Sequence, residues 1–204
     1  MDRDHSGLCG YNEVVLVGNG PSALDFDAGE TIDKFKWVAR FNSFKTSGYE
    51  KQVGEKSDIW VTCESTNVNN MLPYKRIYFA TPEISPTNKE CRGFRAINIY
   101  RPDHKRLFQI PYWAWWEMRA NFFSRKPTIG AVISYYFSHI FSKVYIYGFD
   151  FLDPEKHHHY FGKKKGNGTN HHSPEQEANY FRTMIETERL FLLKDAMDIK
   201  GSVK

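Results

Sequence analysis

Apolar residues in this chain fall in short runs separated by longer mixed stretches. Glu13-Val-Val-Leu-Val17 leads directly into Gly18-Asn-Gly-Pro-Ser22, which predicts a buried strand entering a tight turn. Lys36–Phe41, Asp58–Cys63 and Arg76–Thr81 repeat the pattern and predict three more strands, and Phe94–Tyr100 predicts a fifth. Between Gly130 and Ser142 the period changes. Ile133, Tyr136, Phe137, Ile140 and Phe141 stand at offsets of three, four, seven and eight, one buried face of a helix. Lys143-Val-Tyr-Ile-Tyr-Gly148 returns to a strand pattern. Ser173 to Lys194 predicts a helix, with Ser173 as cap, Pro174 as first helical residue, and Glu175 and Glu177 in the first turn. Strands alternating with longer or helical segments predict an α/β fold with a mostly parallel sheet. Such sheets bind ligands beyond the carboxyl ends of their strands, which selects loops 18–22, 42–47 and 149–172.

Composition narrows the class. The 204 residues suit a single domain over 1–204. Lys and Arg total 28 against 24 Asp and Glu, a net charge of +4, too mild for a polybasic protein, and nothing predicts a nucleic-acid partner. Aromatics make up 16% of the chain, which excludes a disordered one. The N-terminal MDRDHSGLCGYNE has no apolar region of the kind a secretory signal needs. The longest uncharged run, Pro127–Ser142, falls short of the roughly 20 apolar residues of a spanning helix. Cys9, Cys63 and Cys91 are odd in number and lack CxxC spacing. They argue against a disulfide scaffold or a cysteine-built metal site, and for a reducing compartment.

Small residues at Gly18–Ser22 let backbone N–H groups approach an anion or nucleotide, and serve an ordinary strand-to-helix turn equally well. GxGPS also opens flavin-binding domains. Here Ala23 and Leu24 stand where a third glycine belongs, and the second strand ends in Arg40-Phe41-Asn42 with no acid for ribose hydroxyls. NAD and FAD are therefore disfavoured. Residues 153–173 hold Lys156, Lys163, Lys164, Lys165, Gly162, Gly166 and Gly168, which predicts a mobile lid.

These pieces together resemble the sialyltransferases. Gly18-Asn19-Gly20-Pro21-Ser22, then Phe35 to Val38, then Arg40-Phe41-Asn42 is similar to the first motif of bacterial glycosyltransferase family 42 and to the large sialyl motif of eukaryotic family 29. Pro127-Thr128-Ile129-Gly130, the helix after it, and Lys143-Val144 to Tyr147-Gly148-Phe149 resemble the small sialyl motif. His159-Tyr160-Phe161-Gly162 resembles the third motif, and His172 with Glu177 matches the HxxxxE of the very small motif. No Cys lies in 127–149, so the bridge joining the large and small motifs of the eukaryotic enzymes cannot form. That leans the likeness toward the bacterial branch, with a cytoplasmic location at the inner membrane face. The chain is short for either family.

The resemblance implies a single Rossmann-like domain, a GT-A-type variant, and an inverting, metal-independent transfer of sialic acid from CMP-sialic acid to a glycan hydroxyl. It implies no cofactor beyond the CMP-sugar donor. The partners expected are that donor, a glycan acceptor such as lipooligosaccharide, a peripheral membrane contact and a second copy of the chain. Such a transfer needs a base, donors for the leaving phosphate and a nucleotide pocket. His172, before a helix start, is the expected base. His159 and Tyr160 are expected on the leaving phosphate, with Lys126 as a point charge. Gly18, Asn19, Gly20, Pro21, Ser22 and Asn42 are expected to hold the nucleotide and phosphate. Thr128, Ile129, Gly130, Tyr147, Gly148, Phe149 and Asp150 are expected around the sugar, ribose or base. The alternatives are a CMP-Kdo transferase and a non-catalytic glycan- or nucleotide-sugar-binding module, with Ile110-Pro-Tyr-Trp-Ala-Trp-Trp116 as its stacking platform or simply as core. Asp25-Phe-Asp27 spells the metal-binding DxD but is placed in a helix, and reads as a surface pair. The histidines at 157–159 and 171–172 lack the spacing of a metal site.

Overall fold

The computed structural model describes residues 12–62, 74–80, 106–151, 159–161 and 172–201. The three cysteines, the expected strand at 94–100, His157, His158, His171 and the four lysines of the expected lid lie outside them. The described strands are β1 (Glu13–Val17), β2 (Trp37–Phe41), β3 (Ile59–Thr62), β4 (Arg76–Phe79), β5 (Leu107–Gln109), β6 (Lys143–Tyr147) and β7 (Phe191–Leu192). They form one sheet in the order β5-β4-β3-β2-β1-β6-β7, with every neighbouring pair parallel. The helices are α1 (Gly29–Asp33), α2 (Glu50–Val53), α3 (Tyr112–Phe122), α4 (Ile129–Ile140), α5 (Pro174–Glu186) and α6 (Leu193–Gly201), and a 3-10 turn covers Pro21–Leu24.

Both faces of the sheet are covered, so its central strands are continuous apolar runs rather than alternating ones. Val14, Leu16, Trp37, Ala39 and Phe41 pack under α3, α4 and α5. Val15, Val17 and Val38 pack on the other side with Ala23, Ile32, Val53 and Leu193. The strand order runs outward from β1 to β5 and then resumes on the opposite side of β1 with β6. The carboxyl ends of β1 and β6 therefore flank the switch point where open α/β sheets bind their ligands.

Two expectations are corrected. The helix expected over 173–194 stops at Glu186. Glu188 takes a left-handed backbone (φ 55°), and the N–H groups of Arg189 and Leu190 both turn back to the Met184 carbonyl, which frees the chain for β7 and α6. Asp25 and Asp27 are not helical. They lie between the 3-10 turn and α1, and Asp27 pairs with Lys51 at 2.9 Å on the surface. The tryptophan-rich run forms most of helix α3, not foreseen because aromatics on every side mask its period. Ala114 and Met118, four apart, make its core contact, while Trp116 is 54% exposed. No described helix is long and apolar enough to cross a membrane.

Candidate functional site

The loops after β1 and β6 are zipped together. Gly18 N–H donates to the Tyr147 carbonyl at 2.8 Å, Gly20 N–H to the Gly148 carbonyl at 2.9 Å, and Ser22 N–H to Asp150 Oδ2 at 3.0 Å. These three N–H groups, expected to face an anion, instead bind the neighbouring loop. The glycines are required by that contact: a Cβ on Gly18 would drive into the Gly148 carbonyl, and one on Gly20 into the Asp150 carboxylate. Gly148 has φ +69°, and a Cβ there would lie 2.8 Å from that of Ala23. Tyr147, expected near ribose or base, shares its hydroxyl proton between the carbonyls of Ala23 (2.9 Å) and Phe26 (3.0 Å). Burial pushes that phenol up to about 12.

Phe149 is the keystone. It packs edge-on to Phe41 at the end of β2 and against Phe181 of α5, and a Cβ on Gly18 or Gly130 would meet its ring at 3.0 or 2.8 Å. The first loop, the start of α4 and α5 thus converge on one side chain. Asn19 Nδ2 donates to the carbonyls of Phe41 (3.0 Å) and Ser43 (3.4 Å), which orients its amide; its Oδ1 is buried with no hydrogen-bond partner among the described residues. Asn42 sits in the left-handed region (φ 47°), where Asn is better tolerated than most residues. Its N–H reaches the Val61 carbonyl, and its own carbonyl accepts from Trp60 Nε1 at 2.9 Å. Its side chain stays exposed.

Residues 159–161 lie over this corner. Tyr160 N–H donates to the Asn19 carbonyl at 2.9 Å, its hydroxyl donates to the Lys45 carbonyl, and its ring meets Tyr49 edge-on. His159 stacks on Phe161. Arg40, a residue not foreseen for the site, is electrostatically coupled to Tyr160. It is fully buried at the end of β2. Its Nε donates to Lys56 O and Ser57 Oγ, both at 2.9 Å, and its Nη2 to Val53 O at 2.7 Å. Burial lowers the guanidinium to about 10, offset in part by Tyr160 and Asp33. Burial also raises the Tyr160 phenol, with Arg40 opposing. A charged residue in the apolar run Trp37–Phe41 was the available signal.

His172 is hydrogen-bonded to the segment between α3 and α4. Its Nδ1 lies 2.8 Å from the Lys126 carbonyl. A carbonyl only accepts, so Nδ1 carries the proton and Nε2 is the basic nitrogen. Lys126 therefore contributes its main chain, and its side chain is exposed. Thr128 caps α4 by accepting from Ala131 N–H at 3.2 Å. Its own N–H and hydroxyl donate to the two oxygens of Glu177 at 2.7 and 3.0 Å. Glu177 is 1% exposed, and its burial raises it to about 7 against the pull of Thr128. Ile129 packs against the core at the first turn of α4.

The profile of glycosyltransferase family 29 (sialyltransferase) matches residues 5–92. The chain is similar to the family 29 sialyltransferases. It is 23% identical over 199 residues to mouse CMP-N-acetylneuraminate-beta-galactosamide-alpha-2,3-sialyltransferase 2, covering 86% of this chain and 55% of that one. It is 41% identical over 49 residues to a beta-1,6-galactosyltransferase of Arabidopsis thaliana, covering 24% of this chain and 12% of the other. The crystal structure of a mammalian sialyltransferase in complex with Gal-beta-1-3GalNAc-ortho-nitrophenol superposes with a TM-score of 0.67 at 15% identity, over 92% of this chain and 71% of that chain. The sialyltransferase likeness thus extends to the fold, while the chain spans about half the length of the curated relatives it matches. The family match falls on one of the two families its motifs resemble. Among the described residues the four resembling segments are linked in pairs: the first and small ones at Phe149, the third to the first through Tyr160 and Asn19, and the very small one to the small one through Glu177 and Thr128.

Proposed function

We propose that this chain transfers sialic acid from CMP-sialic acid to a glycan hydroxyl, with inversion and without a metal. The observation that carries the reading is His172, whose Nδ1–H is held by the Lys126 carbonyl so that Nε2 is the proton acceptor. The acceptor hydroxyl gives its proton to Nε2 as its oxygen attacks the anomeric carbon. The bond from that carbon to the phosphate oxygen breaks on the opposite face, and CMP leaves with the electron pair. The transition state is oxocarbenium-like, and the leaving group is a single phosphate that protein donors suffice to neutralise. His159 and Tyr160 are the donors nearest the first loop; Tyr160 serves by exchanging the Lys45 carbonyl for a phosphate oxygen. This reading assigns no part to Asp25 and Asp27, which lie between the 3-10 turn and α1, with Asp27 paired to Lys51.

His172→Ala is expected to keep CMP binding and to lose most transfer, a drop of roughly 100-fold or more. Full activity in that variant removes His172 as base. Thermal shift with CMP, UDP, GDP, NAD and FAD tests the donor class, because a native-state ligand raises stability by RT ln(1 + [L]/Kd). Stabilisation by FAD or NAD and none by CMP overturns the reading. Stabilisation by CMP with no turnover in the presence of acceptor makes the chain a binding module. Activity is expected to survive EDTA. The short match to a galactosyltransferase favours testing UDP-galactose beside CMP-sialic acid and CMP-Kdo.

A further inference from the structure

We propose that Gln176 and Glu177 are positioning residues for His172, acting through the main chain of residues 124–128. The inference rests on His172 being the base of the proposed transfer.

Residues 124–128 connect α3 to α4 and belong to neither helix nor strand. A connection of this kind has few main-chain partners of its own. Here it is bound by the first turn of α5. Gln176 Nε2 donates to Ser124 Oγ at 2.7 Å, and Gln176 Oε1 accepts from Arg125 N–H at 3.3 Å. One amide thereby grips two successive residues, and the two contacts fix which end is oxygen. Glu177 takes Thr128 N–H and Thr128 Oγ1–H on its two oxygens, at 2.7 and 3.0 Å. Between these grips lies Lys126, whose carbonyl holds the His172 imidazole. His172 in turn stands immediately before Ser173, the cap of the same helix, whose hydroxyl accepts from Gln176 N–H at 3.4 Å.

The contacts therefore close a loop. The helix turn that follows the base holds the segment that orients the base. Glu177 is nine-tenths or more buried on a carboxylate that burial penalises, a cost tolerated only when both oxygens are satisfied. Thr128 satisfies both. Without the grips the Lys126 carbonyl is no longer held against Nδ1, and the two tautomers of His172 interconvert. Only one of them presents Nε2 as a base, and a displacement of about 1 Å costs on the order of 100-fold in rate.

The test uses Gln176→Ala, Glu177→Ala and the conservative Glu177→Gln, whose amide can still accept from Thr128 N–H and donate to Thr128 Oγ1. Side-chain ¹⁵N NMR of the ligand-free protein reads the His172 tautomer directly. The wild type and Glu177→Gln are expected to show one tautomer, protonated at Nδ1, and Gln176→Ala and Glu177→Ala a mixture. With CMP-sialic acid and a β-galactoside, Gln176→Ala is expected to lose roughly 10- to 100-fold in kcat. Its calorimetric Kd for CMP should stay within about twofold of wild type, because a positioning loss falls on chemistry and not on donor binding. A single Nδ1-protonated tautomer in both alanine variants overturns the proposal, as does an unchanged kcat in Gln176→Ala. A parallel fall of kcat, CMP affinity and melting temperature in that variant overturns it too, as the mark of a merely structural role. If Glu177→Ala does not fold, Gln176→Ala decides alone. A wild type without turnover defeats the transferase reading, while the tautomer measurement still decides the clamp.

Discussion

Arg40 and Glu177 are charged side chains that the fold buries, and each has a stated cost. Arg40 offers its guanidinium to carbonyls and a hydroxyl of residues 53–57. Arg40→Met is expected to lower the unfolding free energy by about 2–4 kcal/mol in urea titration, because those acceptors keep their burial and lose their donor. Arg40→Lys should recover less than half, since one ammonium cannot span the fork. Glu177 gives a pH signature. Its folded value of about 7 lies above the 4.5 of a free carboxyl, so the fold favours the neutral form. The stability this confers is fully present below pH 4.5 and lost as pH rises through 7, on the order of 3 kcal/mol in all. Glu177→Gln should flatten that decline in chemical denaturation between pH 4.5 and 8. At this scale the sequence singled out Tyr160 and Asn19, which the fold joins through a main-chain hydrogen bond, and His172, which it sets against the Lys126 carbonyl. It missed Arg40, because burial of a cation is a property of the packed strand.

At the scale of elements, the glycine turn shows how one signal serves two ends. Its glycines suggested an anion cradle, yet the N–H groups of Gly18, Gly20 and Ser22 are bound to the β6 loop. Their conformational and steric freedom lets two loops touch, which gives the crevice a rigid floor. Gly20→Ala is expected to cost about 2 kcal/mol or more, as overpacking against the Asp150 carboxylate and Gly148 carbonyl, and to weaken CMP binding in calorimetry. Strands β1, β2, β3, β4 and β6 were legible from apolar runs, and α4 from its period. Strand β7 and the start of α6 were absorbed into one predicted helix, because Leu190–Leu193 continues an apolar pattern while the break at Glu188 is a backbone event with no glycine to announce it.

For the molecule as a whole, stability should follow the strand order. β1 is paired on both sides and buried on both faces, whereas β7 is two residues long at an edge. Native-state hydrogen exchange is expected to be slowest at Val15, Leu16, Val38 and Ile146 and fastest, among strand amides, in β7. Equal protection at the centre and at β7 would contradict this arrangement. The aromatic excess finds its use here too. Phe41, Phe149, Phe181, Tyr180 and Phe122 form one connected set of ring contacts from β2 to α3. Trp116 stands outside it, stacked on Tyr112 and exposed.

By itself the sequence determined the class of fold and offered candidates for the chemistry, because strand and helix periods, turn glycines and cap residues are local properties. Only the tertiary structure decided what those residues are committed to. The order of the strands puts the ends of β1 and β6 together, so the glycine N–H groups go to a neighbouring loop, and a buried glutamate on the helix after His172 holds the segment that orients it. Such commitments join residues as distant as Ser22 and Asp150, 128 positions apart, and no local pattern in the chain encodes that distance.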